Sequence, residues 1–209
     1  MFLQGFFAIG VLSGIAFLLG HSWHRLSGIL FGRPLRTDLF WKLFTGLVLL
    51  ISLYAVLNTR GVTVLLPVPF LLLWLAKYLP EVEEGRTGDR LAYLFYACTT
   101  MFHLLFFYVG FMPSGADQFT YVNSDLNIYL RMAVNLNSTG VEQNDLNIFN
   151  FSRSPIPYHY GDLWLYALLV KAGLRMPPSM YMVGFTTLAS LFTLGIFTYV
   201  RDKFRNHIR

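Results

Sequence analysis

Residues 124–140 read SDLNIYLRMAVNLNSTG, a stretch with a helical pattern that is too polar and too short to lie in hydrocarbon. Leu126, Tyr129, Leu130, Ala133, Val134 and Leu136 recur at helical spacing, with Asn127, Arg131, Asn135 and Asn137 between them. Ser124 suits an N-cap and Gly140 a stop. The expectation is an amphipathic helix over 125–137 lying on a membrane surface.

What flanks this stretch gives it meaning. The 209-residue chain is 55% hydrophobic, 17% aromatic and only 13% charged, a composition that excludes an ordinary soluble domain. Apolar runs at 1–20, 38–57, 61–79, 91–112 and 178–200 each approach or reach the ~20 residues that cross a ~30 Å hydrocarbon core. The run 162–174, DLWLYALLVKAGL, is shorter and is read as a fifth crossing of six, dependent on neighbours that shield its ends. The first run has no Lys or Arg before it and no small-residue cleavage site, so it is expected to stay in the protein rather than act as a leader. The fold class is thus an all-α polytopic bundle of about six membrane helices. It divides into four N-terminal spans (1–112), a long loop with amphipathic helices (113–161), and two further membrane helices with a basic tail (162–209).

Orientation follows from the sixteen Lys and Arg, because cytoplasmic loops collect them. Loop 21–37 carries Arg25, Arg33 and Arg36, and loop 77–90 carries Lys77, Arg86 and Arg90. Segment 113–161 has only Arg131 and Arg153 against Asp117, Asp125, Glu142 and Asp145, which places it outside the cytoplasm. The net charge of +5 then reflects topology and contact with anionic membrane lipids, not a nucleic-acid partner. Six full crossings would put the tail RDKFRNHIR outside, against the rule. Either 162–174 does not fully cross or the tail is a deviation.

Loops as long as 113–161 are uncommon and often functional. Within it, Asp125 falls in the first turn of the polar helix, where free N–H groups and the helix dipole favour the ionised carboxylate. Local physics leaves two readings open: a favourable first-turn Asp on a connector, or a carboxylate that takes a proton from a hydroxyl or holds a cation. The cluster PYHYGD also has two readings. His159 between Tyr158 and Tyr160, with Asp162 after and Arg153 before, brings an acid–base group, aromatic platforms and a cation to one entrance, but an interfacial aromatic belt has the same composition.

The spacing Asp125, Tyr129, Ala133, Gly140 resembles the first extracytoplasmic loop of the GT-C superfamily of membrane glycosyltransferases, which use polyprenyl-linked sugars. The order continues through Pro155 and Pro157, the apolar run Leu163 to Val170, Gly173 and the 178–200 run, so the resemblance covers residues 113–200. It implies that Asp125 is the catalytic carboxylate, acting as base on the acceptor or holding a divalent ion, Mg or Mn, near it. Asp117, with Tyr121 at the same spacing but without the Ala and Gly continuation, is the second candidate. On the functional reading of PYHYGD, Arg153, Tyr158, His159, Tyr160 and Asp162 are the binding residues for the polyprenyl-linked sugar donor, while the basic residue that the superfamily often has directly before the proline is replaced here by Ser154 and Ile156. The superfamily usually has one span before this loop and more after it, whereas this chain has four before. The chain is accordingly expected to be the N-terminal part of such an enzyme, or to work with other membrane subunits. The alternative is a non-catalytic polytopic subunit or transporter component.

Remaining features read as structure. Cys98 is expected to serve packing, and Gly10 and Gly14 form G-x-x-x-G, a pattern that lets helices approach closely. His103, mid-span, is expected to be neutral with a backbone partner. PEVEEGRTGD reads as a solvated turn, and Asn137 and Asn150 each head an N-glycosylation pattern.

Overall fold

A computed structural model describes residues 2–31, 38–62, 90–111, 125–140, 160–174 and 177–207. All the regular structure among them is helical: α1 (Phe2–Phe31), α2 (Leu39–Thr59), α3 (Arg90–Phe111), α4 (Asp125–Thr139), α5 (Tyr160–Lys171) and α6 (Pro177–His207). Four of these, α1, α2, α3 and α6, are long and apolar enough to cross a membrane. In lipid a helix is favoured because it satisfies every backbone polar group within the segment. The ends of α2 are well defined. The Asp38 carboxylate accepts the Trp41 N–H at 3.1 Å at its start, and Gly61, at φ +68°, turns the chain away after Arg60.

Contacts fix the helix directions. Ala16 and Gly20 of α1 meet Lys42 and Gly46 of α2 backbone to backbone, so close that a Cβ on Gly46 would overlap the Ala16 carbonyl. Gly10 and Gly14, the pair singled out by pattern, have open space beside them: the seam lies further along α1. Helix α3 runs antiparallel to α1, pairing Tyr93 with Phe17, Tyr96 with Ser13 and Tyr108 with Phe2. It runs antiparallel to α6 as well, through Phe95 with Phe197, His103 with Ser190 and Phe107 with Phe185. His103 therefore finds a side-chain partner, Ser190 Oγ at 3.1 Å, in place of a backbone one. Cys98 is exposed on α3 and does not serve the core.

Helices α1 and α6 thus point one way and α2 and α3 the other. One end of the bundle gathers Arg25, Asp38, Lys42, Arg90, Arg201 and Lys203; we call it the basic end. Gly195 of α6, seated against the Phe40 ring, ties that end together. Val62, just after α2, and Arg90, at the start of α3, lie at opposite ends, and the apolar run 61–79 falls almost wholly outside the described residues.

The other end carries α4 and α5, and here the structure departs from the sequence reading. With 12 residues, α5 is about 18 Å long, short of the ~30 Å a crossing needs. Its apolar surface is covered by protein: Leu163, Trp164, Leu165, Tyr166 and Ala167 are all buried, against α2, α4 and α6. Hydropathy along a sequence registers that a helix is apolar but not what covers it, which is why 162–174 read as a crossing. After the Gly173 turn at φ +102°, α6 starts at the same end, with Met182 packed on Gly5. The consequence is topological. With α5 not crossing, α6 returns the tail to the basic end, and the conflict over RDKFRNHIR disappears.

Candidate functional site

Of the residues singled out by sequence, Asp117, Arg153, Tyr158 and His159 lie outside the described residues. Asp125 is the first residue of α4, and Tyr160 the first of α5. Asp162 sits half-buried in the first turn of α5, where its carboxylate accepts the Leu163 N–H at 3.0 Å. Helices α4 and α5 pack on one another, so the elements bearing Asp125 and Asp162 meet at the end of the bundle opposite the basic end, the loop end.

Helix α4 forms over the expected residues, and Gly140, at φ +67°, ends it. Its faces differ from the sequence reading in two places. Met132, Ala133 and Leu136 turn inward as apolar residues should, but Val134 is 49% exposed and Asn137 faces the bundle. The Asn137 carbonyl accepts the Tyr54 O–H from α2, and its amide donates to the Ala167 carbonyl of α5 at 2.9 Å. The neighbouring Asn58 of α2 donates to the Leu136 carbonyl at 2.7 Å. That carbonyl belongs to the last turn of α4, whose C=O groups have no helical partner except where caps supply one. It also accepts the Gly140 N–H at 2.9 Å. A Cβ on Gly140 would stand 2.9 Å from the Thr59 Cα, so the end of α4 abuts the end of α2 directly. Asn137, engaged in this way, is not presented as a glycosylation acceptor.

Beneath α4 lies an aromatic layer that sequence reasoning missed. Tyr181 of α6 has its ring centroid 6.1 Å from Tyr129 of α4, 5.0 Å from Tyr166 of α5 and 5.3 Å from Phe185. Tyr54 meets Trp164 edge-on at 6.0 Å. The Tyr166 ring fills the space left by the absent side chain of Gly184, and its hydroxyl is buried with no hydrogen-bond partner. Burial, with the Asp162 carboxylate and Tyr129 adding to it, holds the Tyr166 phenol above its ordinary pKa, so it is a neutral donor at neutral pH. The signal available in the sequence was tyrosine within otherwise aliphatic runs, since a buried Tyr needs a place for its hydroxyl.

Also at this end, between α1 and α5, is an apolar cavity of 620 Å³ lined by Phe7, Val11, Ile15, Leu50, Leu168 and Leu169 among others. Its size is that of a small-molecule site, and its walls suit a hydrocarbon chain. Among the described residues no three His, Cys, Asp or Glu side chains come together, and a divalent ion of the Mg type asks less, since one or two carboxylates with substrate phosphates are enough to hold it. Asp125 with Asp117 would be the donor set, and Asp117 lies outside the described residues. Compared with protein-family models, curated proteins and solved structures, the chain matches none.

Proposed function

We propose that the chain is a membrane glycosyltransferase of GT-C type, or the N-terminal part of one, moving a sugar from a polyprenyl-linked donor to an acceptor at the end of the bundle that carries α4 and α5. The observation that carries this reading is that the helix begun by Asp125 is held across that end of the bundle, packed on the helix that bears Asp162. An apolar cavity at the same end of the bundle, lined by α1, α2 and the C-terminal half of α5, gives a polyprenyl chain a place to lie. The charge asymmetry favours an extracytoplasmic loop end. Arg25, Lys42, Arg90, Arg201 and Lys203 occupy the basic end, against Arg60, Arg131 and Lys171 at the other.

In this mechanism the Asp125 carboxylate takes the proton from the acceptor hydroxyl or amine as its oxygen or nitrogen attacks the anomeric carbon. The bond from that carbon to the donor phosphate breaks, and the polyprenyl phosphate leaves with the electron pair. The role assigned to Arg153 is to balance the phosphate charge, and that assigned to Tyr158, His159, Tyr160 and Asp162 is to bind the donor sugar. The test is transfer of a radiolabelled sugar from polyprenyl-linked donors in membranes containing the full-length protein. Labelled acceptor that depends on Asp125 supports the reading; transfer indifferent to Asp125, or none with any polyprenyl-linked donor, points to the non-catalytic subunit instead.

A further inference from the structure

We infer that Asn137 is a positioning residue: through its single amide group, α2 and α5 set where α4 sits, and so where Asp125 meets the acceptor. This rests on the role proposed for Asp125. An asparagine amide offers one carbonyl oxygen and two N–H donors. Here the oxygen is engaged by Tyr54 of α2 and the nitrogen by the Ala167 carbonyl of α5. One side chain therefore joins three helices, and two of them carry the candidate carboxylates Asp125 and Asp162.

Packing alone would not choose Asn at this position. Its neighbours on the inward face, Met132, Ala133 and Leu136, are apolar, and a polar group turned in among them is retained only if it is hydrogen-bonded. Asn58 fastens the same turn of α4 independently through the Leu136 carbonyl. The clasp is thus at the C-terminal end of α4, and Asp125 is at the other end, twelve residues or about 18 Å away. A helix is stiff over that length, so a small tilt at the clasp becomes a displacement at Asp125. Misplacement by about 1 Å costs on the order of 10²-fold in rate.

The test uses the full-length protein with Cys98→Ser, so that spin labels enter only at Arg131→Cys on α4 and Lys171→Cys on α5, both exposed positions. The α4–α5 distance distribution should be narrow in the parent and broadened in Asn137→Ala. Sugar transfer should fall about 10- to 100-fold in kcat with KM little changed. Tyr54→Phe, which removes one hydroxyl and leaves the fold intact, should give a smaller change in the same direction, and Ser138→Ala on the exposed face should give none. A distribution that stays narrow in both Asn137→Ala and Tyr54→Phe overturns the inference. Should the distribution broaden while the parent shows no transfer, the clasp stands and the reading of Asp125 fails.

Discussion

Asp125→Asn is expected to lower sugar transfer by about 10²- to 10⁴-fold, the range for loss of a general base. The substitution keeps the size of the side chain and its capacity to start a helix, and removes only the charge that accepts the proton. Its cost to the fold is small, because losing a favourable first-turn charge takes away about 0.3–1 kcal/mol. Protein level by immunoblot should therefore stay near that of the parent while activity disappears. Asp117→Asn is the internal control and should have a clearly smaller effect. Full activity in Asp125→Asn would remove its catalytic role, and equal losses in the two variants would leave the choice between the carboxylates without grounds.

The second large effect is structural. Gly46→Leu should destabilise the bundle, because a Cβ at that position overlaps the Ala16 carbonyl and crowds the Gly20 amide nitrogen. Both neighbours are backbone, which cannot swing aside as a side chain can, so α1 and α2 have to part. Overpacking of a filled core costs about 1–3 kcal/mol and occasionally more. Gly20→Leu should behave alike, since its Cβ would meet the Lys42 carbonyl. Gly10→Leu and Gly14→Leu, in the same helix but with open space beside them, carry no such penalty. Thermal unfolding in detergent separates the two pairs: a lowered Tm for Gly46→Leu and Gly20→Leu, and none for the others. Equal behaviour of all four would mean that the α1–α2 seam is not where the backbones meet.

Those glycines also show how much could be read in advance. The spanning helices were legible because about twenty uninterrupted apolar residues leave a chain in lipid few alternatives. Which glycines form the seam was not, since G-x-x-x-G at 10–14 and A-x-x-x-G at 16–20 are equally good small-residue patterns and only the partner helix distinguishes them. Helix α4 and its Gly140 stop followed from periodicity and from glycine's tolerance of positive φ. Its inward Asn137 did not, because assigning polar residues outward is right only where no partner waits inside. Length gave a hint that 162–174 was unusual, but its burial depends on Tyr54, Tyr181 and Gly184, residues distant in sequence. Of the candidate site, Asp125 and Asp162 stand in the first turns of two packed helices, which helical periodicity could indicate, whereas the aromatic layer of Tyr129, Tyr166 and Tyr181 came only from the tertiary structure.

Helices α4 and α5 lie at one end of the bundle and α6 returns the tail to the other, which the proposed orientation makes the cytoplasmic end. Single cysteines at Ser138, exposed beside the end of α4, and at Lys203, exposed near the end of α6, probe this orientation in a Cys98→Ser background. With a membrane-impermeant thiol reagent on intact cells, Ser138→Cys should label at once and Lys203→Cys only after permeabilisation; labelling of both from the same side would contradict it.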